Sequence, residues 1–75
     1  MKITKKQQTP ELISAVRDAR TLGGEAYRNG IRRVHDDGRV IDLASSNDFS
    51  FEQRAAIFSA WIQGATKAMF AEVNV

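Results

Sequence analysis

His35, Asp36 and Asp37 stand side by side, and His35 is the only histidine in the chain. An imidazole beside two carboxylates is raw material for a metal site or for a base held by a carboxylate. A metal needs three or four ligands converging from different directions, and one short run of backbone supplies that poorly. Asp37 and Gly38 are also turn chemistry, so the residues favour an exposed turn. Serine nucleophile elbows, Gly-x-x-x-x-Gly-Lys phosphate loops and metalloprotease His-Glu-x-x-His helices are absent from the sequence. The glycines of LGGEAYRNG follow a helical pattern rather than a strand and bring no lysine, which makes a poor nucleotide loop. A non-enzymatic protein with no cofactor and no metal is expected.

The arginines carry more information. Projected at 100 degrees per residue, Arg17, Arg20, Arg28 and Arg32 fall within a sector of roughly 120 degrees. Arg33, Arg39 and the lysines of the first residues lie near that face. Arginine forks match phosphates and give affinity independent of sequence. Asp18 and Glu25 flank the face, so an ordinary solvated surface is the alternative. Aromatic interleaving, the usual companion of single-strand binding, is limited to Tyr27.

These side chains need elements to hold them. MKITKKQQ reads as a flexible basic tail over residues 1–8, followed by a single small helical domain over 9–75. Thr9 can cap a helix and Pro10 fits its first position. Leu12, Val16, Ala19, Gly23, Ala26 and Gly30 then recur at spacings of three and four, giving one apolar face to about residue 30. Gly23 and Gly24 together lose close to 2 kcal/mol of helix propensity, so a break there is the competing reading. Asp37-Gly38 between Val34 and Val40-Ile41 predicts a tight turn with short strands over residues 34–43, inside a long connection ending in SSND. Ser50 and Gln53 form a capping box that opens a second helix over about 51–72, with Ile57, Phe58, Trp61, Ile62, Ala65, Ala68 and Met69 on its apolar face. The expected fold is mainly α: a two-helix antiparallel hairpin with a long connecting turn.

Gly64, three residues after Trp61, costs roughly 1 kcal/mol of helix propensity and asks for a close backbone neighbour or a partner surface. A chain of 75 residues without cysteine has a marginal core, and Ile57, Ile62 or Phe70 left exposed would form an apolar patch. A homodimer or a tight partner is therefore expected. No apolar run is long enough to span a membrane and the start lacks a signal-peptide core, so a cytoplasmic location is expected.

AYRNGI, with Tyr27, Gly30 and Ile31, followed by Gln53-Arg54 and AWIQGATKAM, resembles the ribosome modulation factor family and its CrpP-like relatives. That family carries Tyr-x-x-Gly in its first helix and Trp-x-x-Gly-x-x-x-Ala-Met in its second, matched here by Trp61, Gly64, Ala68 and Met69. The resemblance covers roughly residues 19–72, with a gap in the middle. It implies a helical hairpin in which Gly64 faces the Ala26 and Gly30 region and Trp61 covers the crossing. It also implies binding to the ribosome or its RNA, as the family's namesake holds ribosomes inactive in stationary phase. This chain is less basic, replaces a short Cys-Pro connection with HDDGRVIDLASSND, and has four extra residues before Trp61. The expected function is a small regulator with an arginine face for RNA. The alternative is a phage- or plasmid-type inhibitor that blocks one host protein.

Overall fold

The structure, a computed structural model, describes residues 8–73. Apart from Gln8, the expected basic tail lies outside the described residues. The first helix, α1, spans Pro10–Arg28, with Pro10 at its start and Thr9 as its N-cap. The Thr9 hydroxyl oxygen accepts the Leu12 N–H at 3.2 Å, satisfying one of the donors a helix start leaves open. The helix runs unbroken through Gly23 and Gly24.

It ends two residues earlier than the sequence pattern predicts, because Gly30 adopts φ +87°. There the Gly30 N–H donates to the Tyr27 carbonyl at 3.1 Å and the Ile31 N–H to the Ala26 carbonyl at 2.9 Å. This is the Schellman closure, for which glycine is the favoured residue. Gly30 is therefore exposed and stops the helix, where it was expected on the packing face.

The expected strands over 34–43 do not form. Val34–Asp36 make one 3-10 turn and Gly38–Ser45 make a second helix, α2. A tight hairpin turn needs positive φ at its central residues, and among the described residues only Gly30 has one. Asp37 instead caps α2, its carboxylate accepting the Arg39 N–H at 3.1 Å. Val40 and Ala44 then recur at helical spacing and are buried.

The last helix, α3, spans Phe51–Val73, close to the predicted range. Its capping box is reciprocal: the Ser50 N–H donates to Gln53 Oε1 at 2.8 Å and the Gln53 N–H to Ser50 Oγ at 3.2 Å.

The pairing of the two long helices is as expected, but their relative direction is not. Arg20 of α1 reaches Gln63 of α3, and Arg28 lies beside Ala68 and Ala71. The two helices thus advance in the same direction. The short α2 makes this possible by returning the chain, with Arg39 beside Glu25 and Ser46 in the same groove as Asp18. An antiparallel hairpin is replaced by a three-helix, up-down-up arrangement.

The core joins Leu12, Ala15, Ala19 and Ala26 of α1, Val40 and Ala44 of α2, and Phe49, Ile57, Ala60 and Trp61 at and within α3. Ile57 is fully buried, so it is no part of an exposed patch, whereas Ile62 and Phe70 are more than half exposed. Trp61 is buried as expected. Its indole N–H donates to Asp37 Oδ2 at 2.8 Å, so the polar edge of the largest core residue is satisfied from α2.

Gly64 packs on the backbone of Arg20, about two to three turns before the expected Ala26 and Gly30. A Cβ built on Gly64 would overlap the Arg20 carbonyl oxygen and lie 2.8 Å from its carbon. Gly23 stands in the same relation to the carbonyl of Trp61. Two glycines, one from each helix, therefore let the backbones meet, and the propensity lost at each is offset by this contact.

Candidate functional site

On α1, Arg17, Arg20, Thr21, Gly24 and Arg28 each have a neighbour three or four residues away in the set and so share a face. On α3, Gly64, Lys67, Ala68 and Ala71 do the same. The close crossing sets these two rows side by side. Between them runs a groove of about 420 Å³, floored by Gly24, Gly64, Ala68 and Ala71 and rimmed by Arg17, Arg20, Arg28 and Lys67. No carboxylate lines it.

The small floor has a second consequence. With no side chain on Gly24, the Arg28 guanidinium lies back over it, at 3.7 Å from where a Cβ would be. Arg20 is steadied at the α3 edge by a hydrogen bond from Nη2 to Gln63 Oε1 at 3.3 Å. Arg17, Arg28 and Lys67 form no ion pair with any described residue. The one hydroxyl in the lining, Thr21, already donates to the Arg17 carbonyl at 3.4 Å. The groove offers several guanidinium forks and an ammonium to an anion, and no group placed for proton transfer.

The groove continues past Arg28 along Tyr27, Gly30, Arg32 and Glu72. Arg32 lies beyond the end of α1, so it is not on the helical arginine face. Its guanidinium sits 4.2 Å from the Tyr27 ring centroid and its Nη1 donates to the Tyr27 carbonyl at 2.7 Å. A cation over an aromatic face is held there electrostatically, and several of its five N–H donors stay available. Tyr27 thus orients Arg32, a role beyond the packing expected of it. Ala68 belongs to the groove floor and Ala26 to the core.

Two of the six arginines expected at the site are elsewhere. Arg33 flanks the 3-10 turn and faces a separate, apolar groove. Arg39 lies on the other side of α1, paired with Glu25 at 3.1 Å and with Asp37 at 3.4 Å. Lys67, which the arginine pattern alone did not include, joins the site from α3. Its position three residues after Gly64 was the available signal, since that spacing puts it beside the glycine contact.

The His35-Asp36-Asp37 trio does not converge. His35 meets the Phe58 ring edge-on at 6.3 Å, and among the described residues no three His, Cys, Asp or Glu side chains are grouped to hold a metal. Asp37, expected in an exposed turn, is 2% exposed. Burial pushes its carboxyl up, but hydrogen bonds from Trp61, from the Arg39 backbone and from the Arg39 guanidinium outweigh that and hold it below the usual value. Both its oxygens are committed to α2 and Trp61, which makes it a structural anchor. The hydrogen bond that the Arg39 guanidinium donates to the Asp37 carboxylate holds Arg39 above its usual value in turn.

No family model, curated protein or solved structure matches this chain. No helix among the described residues is long and apolar enough to cross a membrane.

Proposed function

We propose that this chain is a small RNA-binding regulator of the ribosome modulation kind, acting by occupying a site on the ribosome or its RNA. The observation that carries the reading is the α1–α3 groove, where Arg17, Arg20, Arg28 and Lys67 gather without a carboxylate. From Arg17 to Arg28 α1 advances about 16 Å at 1.5 Å per residue. One strand of a duplex presents roughly five phosphates over such a length at 3.4 Å axial spacing. A narrow floor of glycine and alanine lets a sugar-phosphate backbone come close to the cations. The residues of the groove support binding and not covalent chemistry, since Thr21 is its only hydroxyl and is already bonded. The resemblance of AYRNGI and AWIQGATKAM to the ribosome modulation factor family supports the ribosome as the source of that RNA.

Titration of a labelled single-stranded RNA by fluorescence anisotropy across a salt series tests the reading. Log affinity should fall linearly with log salt, with a slope of about 2–3 if three or four phosphates are neutralised at about 0.7 each. Replacing Arg17, Arg28 and Lys67 together by alanine should remove most of that slope. An unchanged slope in the triple variant would sink the groove. Sucrose-gradient sedimentation from growing and starved cells separates ribosome from free RNA. If the protein stays at the top in both and brings down one non-ribosomal protein, an inhibitor of that protein takes the place of this reading.

A further inference from the structure

A second groove, of about 490 Å³, lies on the opposite flank of α3 from the basic one. The Schellman turn after α1 builds one wall of it by folding Ile31 and then Val34 back toward the core. Trp61 and Ala65 reach it from below, and Ile62 and Met69 form its outer edge. Those two are 51% and 38% exposed, which decides what kind of occupant fits. A small molecule needs most of its surface enclosed, whereas an outer wall that is itself half exposed suits an elongated partner lying along α3. Arg32 and Arg33 stand at the lip, and no carboxylate lines the groove. Arg33 has no ion-pair partner among the described residues.

We infer that this groove docks an acidic amphipathic helix from a protein partner. Apolar side chains of that helix, spaced one turn apart, pack on Ile62 and Met69, and its flanking carboxylates meet Arg32 and Arg33. Charge argues against a second copy and against the chain's own first residues. A second copy related by two-fold symmetry would present the same patch to itself and bring its own Arg32 and Arg33 with no carboxylate in the groove to meet them. The first residues of this chain carry Lys2, Lys5 and Lys6, again the wrong sign. An RNA base would need an open aromatic face: Arg32 lies over the Tyr27 ring, Trp61 is buried, and the His35 ring already meets Phe58. The inference uses the flank of α3 opposite the RNA groove; Tyr27 and Arg32 border both grooves, so Arg33, which lines this one and not the basic one, is the charge that separates the two readings.

The test is a displayed library of helical peptides with apolar residues in an i, i+3, i+4, i+7 pattern and glutamate or lysine at the flanking positions, selected on the full-length protein. Glutamate should be enriched in the bound pool. Selected peptides should lose about tenfold or more in affinity on Ile62→Glu or Met69→Glu, as expected for an apolar anchor. Both sites are exposed, and circular dichroism checks that the variants fold. Arg32→Glu with Arg33→Glu should turn the preference toward lysine, and Arg17→Ala with Arg28→Ala should leave it unchanged. Equal enrichment of lysine, or peptides insensitive to Ile62→Glu, overturns the inference. So does sedimentation equilibrium showing a dimer that Ile62→Glu dissociates, which assigns the face to self-association. Protection of Ile62 and Met69 methyl signals by an RNA oligonucleotide would give the face to nucleic acid and overturn it equally.

Discussion

The two grooves that flank α1 differ in how their charges are used. Toward α2, Asp18, Glu25 and Asp42 meet Arg39 across a floor of Leu22 and Leu43. The one cation there bonds Glu25 and Asp37, so part of the charge is neutralised within the fold. Toward α3, Arg17, Arg20, Arg28 and Lys67 meet one another across glycine and alanine, with no carboxylate between them. A net charge of +2 conceals this partition. Opposite charges brought together attract, whereas gathered like charges repel and are kept at a cost unless an outside anion neutralises them. The floors differ as well: Leu22 and Leu43 line the first groove, whereas Gly24, Gly64, Ala68 and Ala71 line the second.

The sharpest way to break this comparison is to put a methyl where the α1 and α3 backbones meet. Gly64→Ala would drive a methyl into the Arg20 carbonyl, and Gly23→Ala into that of Trp61. The obstacle in each case is backbone, which cannot swing aside as a side chain can. Each should cost about 3 kcal/mol by overpacking and lower the melting temperature by about 10 °C or more in a domain of this size. Gly24→Ala is the control. Its Cβ would lie 3.6 Å from the Gly64 carbonyl oxygen, an ordinary contact, so it should be neutral or gain up to about 1 kcal/mol of helix propensity. Equal melting of Gly23→Ala and Gly24→Ala, followed by circular dichroism, would mean that the helices do not approach as described.

Next in size is the anchor on the α2 side. Asp37 accepts from Trp61 on one oxygen and from Arg39 on the other. Asparagine has one acceptor, so Asp37→Asn turns an amide NH₂ toward one of these donors, and should cost about 1–3 kcal/mol. The carboxyl is held below its ordinary value in the folded chain. Its contribution is therefore full above the unfolded value of about 3.9 and is lost as pH falls through the lower folded one. Denaturant titrations should show stability dropping on acidification below about pH 4, with a shallower drop in Asp37→Asn. Parallel acid profiles for the two proteins would remove Asp37 as the anchor.

The legible parts of this fold were those with local causes. Thr9-Pro10 and the Ser50-Gln53 box name their helix starts, because a cap is a contact between residues three apart. The continuity of α1 at Gly23-Gly24 and the partner of Gly64 depend on a second helix that propensity cannot see. Asp37-Gly38 was misread because an aspartate before glycine suits both a turn and a helix cap. The deciding signal was the spacing of Val40, Leu43 and Ala44, which is helical. Missing α2 also reversed the direction of α3, since only a third helix returns the chain. At the site, Arg17, Arg20 and Arg28 were legible from helical projection alone. Arg32 was misplaced because Gly30 stops the helix first, and Arg39 because its partners Glu25 and Asp37 are brought to it by α2.

The smallest expected effect sharpens the comparison most, because it exchanges one arginine from each groove. Arg28 has no ion-pair partner among the described residues, and its removal leaves the core and the helix caps intact. Arg28→Ala should leave the melting temperature close to that of the parent while lowering the salt slope of RNA binding by about 0.7, the share of one single-strand phosphate. Arg39 is half exposed and bonded to Glu25 and Asp37. Arg39→Ala should lower the melting temperature slightly, since water screens an exposed pair, and leave the salt slope unchanged. Thermal melts and salt-dependent anisotropy on the two variants and their double variant check both halves, and the effects should add because the two side chains share no partner. If Arg39→Ala also lowers the slope, RNA wraps both flanks of α1, and the division between an internal and an available set of charges fails.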